Sequence, residues 1–222
     1  MEKIAIAIDG PAGAGKSTIA KAVASKLGIA YIDTGAMYRA VALNILRNKL
    51  QISDIDKICE LTRNTDIAIK GGRVFLNGGD VSREIRDNEV GKLSSPVSAI
   101  PYVREKLVEL QRKMAQSESV IMDGRDIGTN VLKDADVKIF LTASIDERSM
   151  RRYLEFKSRG CSVDLKSVKS DITKRDELDT TRKLNPLKPA DDAVIIDTTS
   201  KSIKEVIEEV LSIIKARCND AL

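Results

Sequence analysis

The most specific chemistry in this chain lies near its start. Gly10-Pro11-Ala12-Gly13-Ala14-Gly15-Lys16-Ser17 follows the apolar run Ile4 to Ile8 and precedes a helical pattern. It fits G-x-x-x-x-G-K-[ST] with a strand before it and a helix after it, the context in which that spacing binds phosphate. The glycines let successive backbone N–H groups turn toward phosphate oxygens. A helix opening near Lys16 points its positive dipole end at the same place. Lys16 is expected to reach the β- and γ-phosphates of a nucleoside triphosphate and the Ser17 hydroxyl to ligate Mg²⁺, with Thr18 completing the segment.

Transfer of a phosphoryl group depends on positioning and on cations that neutralise the moving charge. Arginines stand where they could do this. Arg39 follows Asp33-Thr34-Gly35-Ala36-Met37-Tyr38 after a short apolar run, and Asp123-Gly124-Arg125-Asp126 follows a longer one. Arg148, Arg151 and Arg152 are spaced i, i+3, i+4, and Arg175, Asp179 and Arg182 by four and three, each set on one helical face.

These groups need a scaffold. Four apolar runs, Ile4 to Ile8, Val120 to Met122, Val137 to Leu141 and Ala193 to Ile196, read as buried parallel strands, and Ala30 to Ile32 adds a fifth. Helical patterns alternate with them. Ile19, Val23, Ala24 and Leu27 share a face before Gly28, and Val103, Leu107, Leu110 and Met114 mark a helix entered at Pro101. The last helix opens on the capping box Ser202-x-x-Glu205. Alternating strands and helices predict a doubly wound α/β sheet with ligands at the carboxyl ends of the strands. One stretch departs from this. Ile67, Ile69, Val74 and Leu76 alternate around Gly71-Gly72, a β-hairpin pattern, and mark an inserted subdomain at about 61–96.

Composition excludes several functions. Histidine is absent, so no Ser-His-Asp triad, Cys-His pair or His-bearing metal site can be built. Aromatic residues are only 3%, which argues against base-stacking surfaces for nucleic acid, and the net charge of +4 suits small anionic ligands. Cys59, Cys161 and Cys218 form no C-x-x-C pair and read as reduced thiols of a cytoplasmic protein. No apolar run approaches the roughly 20 residues of a membrane span, and the apolar start is too short for a secretory leader. A GTPase-type switch is disfavoured because D-x-x-G is absent and Asn48-Lys49-Leu50-Gln51 lacks the Asp that would read guanine.

The segments IAIDGPAGAGKST, YIDTGAMYRA, GGDVSREIR, SSPVSAIPYVRE, MDGRDIGT, VKIFLTAS with ERSMRR, KRDELDTTR and PLKPADDAVIIDTT together resemble bacterial cytidylate kinases from Ile4 to about Lys215. The resemblance implies the P-loop NMP-kinase fold: a five-stranded parallel sheet flanked by helices, a core at about 1–60, 97–147 and 190–222, an NMP-binding insertion at about 61–96 and a short lid at about 148–185. It implies that Arg39, Arg125 and Arg175 grip the CMP phosphate, that Ser95, Arg104 and Asp126 read cytosine, and that Asp179 and Arg182 meet the ribose. Asp33, Thr34 and Tyr38 belong to the same CMP-binding set. Gly10 to Thr18 and Arg148 would hold ATP. Lys16, Arg125, Arg151, Arg152 and Arg175 would act on the transferring phosphoryl. Ser17 would hold Mg²⁺, with Asp33 and Asp123 reaching it through water. The implied protein is a cytoplasmic, monomeric enzyme with CMP or dCMP and ATP as substrates and no nucleic-acid or membrane partner. Another nucleoside monophosphate kinase, for UMP or AMP, and an ATP-binding regulator without turnover are the alternatives.

Base selection has its own chemical logic. Cytosine offers an amino donor at N4 and acceptors at N3 and O2. A carboxylate at Asp126 and a hydroxyl at Ser95 can accept from N4, while Arg104 can donate to N3 and O2. Uracil would face Asp126 with a carbonyl instead.

Overall fold

In the computed structural model, which describes residues 3–218, all five apolar runs are strands: β1 Ala5–Asp9, β2 Ala30–Asp33, β6 Val120–Gly124, β7 Val137–Thr142 and β8 Val194–Asp197. They form one sheet in the order β2-β6-β1-β7-β8, and β1 pairs in parallel with both β6 and β7. The central position of β1 explains its unbroken apolar run, since Ile6, Ala7 and Ile8 are wholly buried. At the outer strand β8 the burial lapses, and Ile195 is 60% exposed.

The chain divides into two units, Met1–Tyr31 with Glu118–Leu222, and Ile32–Ser117. In the first, helix α1 (Lys16–Leu27) and helix α8 (Ile203–Arg217) pack Ile19, Val23, Val206, Val210 and Ile214 onto the sheet residues Ile6, Ile8, Ile139 and Leu141. Gly28 stops α1 in the left-handed region and returns its N–H to Ala24 O. The predicted capping box of α8 is present: Ser202 Oγ accepts from Glu205 N, and Glu205 Oε2 accepts from Ser202 N at 2.8 Å. Ser202→Ala is expected to cost about 1 kcal/mol and lower Tm by roughly 2–4 °C, because the first turn loses an acceptor. Turnover should be unaffected. A thermal melt and a steady-state assay on the variant check both.

The first unit also holds helices α6 (Ile145–Ser158) and α7 (Leu165–Thr181). They trap Ala12 of the phosphate loop against Val168 and Ile172, with Tyr153 and Phe156 alongside.

The second unit contains helix α2 (Thr34–Arg47), helix α3 (Ile55–Arg63), an antiparallel sheet, helix α4 (Asn88–Ser98) and helix α5 (Pro101–Ser117). The sheet comprises β3 Ile67–Lys70, β4 Arg73–Leu76 and β5 Gly79–Asp80. Lys70 pairs with Arg73 across Gly71 and Gly72, both at positive φ, as a two-residue hairpin turn requires. A second turn at Asn77-Gly78, again with both φ positive, adds β5. Val74 and Leu76 face a core built from Ala36, Val41, Ile45, Ile58, Val97, Val103 and Leu107. The hairpin therefore shares its core with flanking helices in a unit wider than the 61–96 segment that alternation alone marks. Among the described residues no helix is long and apolar enough to cross a membrane, and the three cysteines are free thiols.

Candidate active site

In the first unit, β1 delivers the chain into Gly10 at φ 146°, where a Cβ would lie 1.9 Å from Leu141 O. Gly13, at φ 78°, likewise approaches Arg148 O, where a Cβ would come within 2.9 Å. Both close backbone approaches demand glycine. Helix α1 starts at Lys16 behind Gly15, and its first turn has no acidic residue, so its dipole end stays available to an anion.

Lys16 is buried, and its Nζ donates to Pro11 O at 2.8 Å. Its pKa lies well below the ordinary lysine value. Burial is the largest cause, and repulsion from Arg125 and Arg175 adds to it, against the pull of Asp123 and Asp9. Three cations thus converge beside a phosphate loop, an arrangement that a polyanion would relieve.

The parallel register sets Asp123 opposite Ile8. Its carboxylate accepts from Ser17 Oγ at 2.8 Å and from Tyr31 OH at 2.9 Å. A hydroxyl beside one carboxylate is a set of hard oxygen donors, the kind that suits Mg²⁺.

Beyond Asp123, Arg125 Nε donates to Asp179 Oδ2 at 2.8 Å. Asp179 lies near the C-terminal end of α7 and is buried. Burial alone would raise its pKa, but Arg125, Arg175 and Arg182 hold it below the usual carboxylate range. Arg182 is the first residue past α7 and donates to Asp126 Oδ1 at 3.0 Å, while Asn130 Nδ2 donates to Asp126 Oδ2 at 3.0 Å.

The three arginines of α6 diverge. Arg148 is buried and donates from Nε to Ala143 O at 2.9 Å and from Nη1 to Ala12 O at 3.0 Å, and it pairs with Asp176. Asp176 in turn accepts from Ala12 N at 3.2 Å, so α6 and α7 together brace the phosphate loop. Arg151 pairs with Glu147 and donates to Thr198 O at 2.6 Å, after β8. Arg152 pairs with Glu155 and lies over the Phe156 ring at 4.4 Å.

In the second unit, Asp33 caps α2 by accepting from Ala36 N at 2.9 Å and pairs with Arg86 at 3.0 Å. Thr34 is buried at the first position of α2. Arg39 Nη1 donates to Ile85 O at 3.1 Å, and a Cβ on Gly91 would lie 3.0 Å from that same Nη1, so the small residue admits the guanidinium. Arg104 is buried in α5, donates to Ser98 O at 3.2 Å and to Tyr38 OH at 3.3 Å, and stands 5.7 Å from the Tyr38 ring centre. Ser95 Oγ is buried with no hydrogen-bond partner among the described residues. Such a hydroxyl costs roughly 1–3 kcal/mol unless something takes its proton or lone pair.

Sequence reasoning did not mark Asp9, Tyr31, Asp176 or Thr198. The available signal was polarity out of place: Asp9 ends an otherwise apolar strand, and Asp176 follows Arg175 directly.

The cytidylate kinase family model matches residues 6–216. The chain belongs to the cytidylate kinase family. A cytidylate kinase of Caldicellulosiruptor bescii is 54% identical over 217 residues, covering 96% of each chain. One from Caldanaerobacter subterraneus subsp. tengcongensis is 53% identical over 212 residues, covering 96% of this chain and 95% of the other. Among solved structures, an uncharacterized protein from Eubacterium ventriosum superposes with a TM-score of 0.54 over 97% of this chain and 100% of that one. At 15% identity that likeness concerns the fold alone. Family membership gives the gathered cations a setting: an enzyme class that moves a phosphoryl group between nucleotides.

Proposed function

We propose that this chain transfers the γ-phosphoryl of ATP to CMP or dCMP, giving ADP and CDP or dCDP. The observation that carries this reading is the convergence of Lys16, Arg125 and Arg175 beside the phosphate loop, in a chain of this family. An anionic oxygen of the acceptor phosphate attacks the γ-phosphorus as the bond to the β–γ bridging oxygen breaks. No general base is required, because the attacking oxygen already carries charge. Arg125 and Arg175 neutralise that approach, and Lys16 stabilises charge gathering on the bridging oxygen.

Mg²⁺ would be held through Ser17, with Asp123 orienting its water, and would supply further charge neutralisation at the phosphates. A part for Asp33 in that water shell would require it to leave Arg86. On the side of the acceptor, Arg39 joins the phosphate grip, with Thr34 and Tyr38 on the same helix. Ser95, Arg104 and Asp126 read the base, and Asp179 and Arg182 meet the ribose. The buried, unpaired Ser95 hydroxyl supports that role, since an N4 amino group would satisfy it. Arg148 contributes to ATP binding through the loop it braces, and Arg151 and Arg152 approach the phosphoryl from α6. The enzyme works in the cytoplasm, as a monomer.

An assay that couples ADP release to a colour change, run with ATP, Mg²⁺ and CMP, dCMP, UMP or AMP, tests this. CMP and dCMP should give the highest kcat/KM. A preference for AMP, or ADP release that does not depend on an acceptor, would overturn it.

A further inference from the structure

Asp9 ends β1, one residue before the phosphate loop, and belongs to no G-x-x-x-x-G-K-[ST] position. Its carboxylate is buried and accepts two backbone N–H groups, Ile127 N at Oδ1 and Gly128 N at Oδ2, each at 2.8 Å. These are the residues that follow Arg125 and Asp126. They open a short π-helical turn, Ile127–Val131, whose leading N–H groups have no acceptor within the turn itself.

Asp9 also grips the other end of that loop. In the β1–β6 ladder its backbone partner is Gly124. The strand register thus fixes the residue before Arg125, and the side chain fixes the two residues after Asp126. Arg125 and Asp126 are the only residues between these anchors. Gly128 also leaves space for the Lys138 stem beside Asp9: a Cβ there would lie 3.2 Å from that stem.

A buried carboxylate is a costly way to tether a loop. Burial pushes Asp9 up to about 6 and nearby Asp126 adds to this, while the Gly128 and Ile127 amides and Lys16 pull it down. Lys138, the other charge packed against Gly128, is paired with Asp192 at 2.9 Å. A neutral side chain would avoid the burial cost, but only a carboxylate offers two full acceptors to two adjacent N–H groups.

We propose that Asp9 is a positioning residue, which sets Arg125 and Asp126 for the acceptor nucleotide through the Ile127 and Gly128 amides. This rests on the reading that Arg125 and Asp126 bind that nucleotide. Asp9 acts through those amides, whose hydrogen bonds occupy both its carboxylate oxygens.

The test is Asp9→Asn in the full chain, with CMP and ATP varied separately and Asp126→Asn as the reference. Asn keeps the shape but turns an amide donor toward one of the two N–H groups. KM for CMP should rise about tenfold, the loss expected from one charge-assisted hydrogen bond, with KM for ATP within about twofold. Amide exchange at Ile127 and Gly128 should speed up in the same variant. An unchanged KM for CMP in Asp9→Asn, while Asp126→Asn raises it, would overturn the proposal and leave the acceptor reading standing. Equal rises in both KM values would also overturn it, since that is what general loosening gives. If neither variant moves KM for CMP, the acceptor reading falls and takes the proposal with it. Should Asp9→Asn fail to fold, wild-type exchange decides. Protection of Ile127 and Gly128, corrected for intrinsic rates, should drop as pH is lowered through about 6, where Asp9 takes up its proton. Ile6 and Ile121, inside the sheet, should stay protected. Protection at Ile127 and Gly128 that does not change with pH would refute the link.

Discussion

Lys16→Met is expected to lower kcat at least a hundredfold while leaving the chain folded. Lys16 is 6% exposed and lies among Arg125 and Arg175, whose repulsion, added to burial, lowers its pKa. The Lys16 ammonium is held by Pro11 O at 2.8 Å, within its own loop. Phosphate oxygens give it a far better partner, and one whose charge grows as the β–γ bridge breaks. Removing a preorganised donor of this kind costs about 2.7–4 kcal/mol in the transition state, or roughly 10²–10³ in rate. Methionine matches the stem of lysine; it removes a buried charge that two arginines oppose together with the hydrogen bond to Pro11 O, so Tm should change little. The measurements are kcat at saturating ATP and CMP, and a thermal melt. A variant that keeps more than a tenth of wild-type kcat would remove Lys16 from the reaction.

The second large effect is on base choice. Asp126→Asn should lower kcat/KM for CMP and narrow the CMP to UMP ratio by roughly 5- to 150-fold, the range expected when a buried polar group is left unpaired. On the proposed reading, CMP gives Asp126 a donor at N4. UMP gives it an acceptor, and an asparagine amide can meet that acceptor. The structure adds a complication that shapes the experiment. Asp126 already accepts from Arg182 and Asn130, so its loss also disturbs Arg182. Asp179→Asn is the control. It shares the Arg182 neighbourhood, at 3.9 Å, but is proposed to serve the ribose, which CMP and UMP have in common. Asp179→Asn should weaken both nucleotides alike. An unchanged CMP to UMP ratio in Asp126→Asn, or an equal change in Asp179→Asn, would assign Asp126 to holding Arg182 and pass base selection to Ser95 and Arg104.

Much of this molecule is legible from local pattern. The five apolar runs became the five strands with ends shifted by one or two residues, because the inner strands, buried on both faces, need a continuous run of apolar residues. The phosphate loop is legible for a related reason. Its function is carried by backbone N–H groups and by glycine conformations, and both are written in consecutive residues. The Gly71-Gly72 turn was equally plain. Asn77-Gly78 is a second hairpin turn, but the strand it leads into is only two residues long and carries no alternation that would reveal it.

Side-chain partners lay beyond local pattern. Arg148, Arg151 and Arg152 share a helical face by spacing, yet they engage the phosphate loop, the segment after β8 and their own helix respectively. Spacing states which residues are neighbours on one element and nothing about which other element lies opposite. Asp9 shows the same limit, since its acceptors serve amides 118 and 119 residues away. Local sequence carries the five sheet strands, the Gly71-Gly72 turn, the capping box of α8 and the phosphate loop, because each follows from backbone geometry over a few adjacent residues. Which carboxylate meets which guanidinium or amide depends instead on the assembled core. Those pairings depend on strand order and helix packing, which the whole core sets at once.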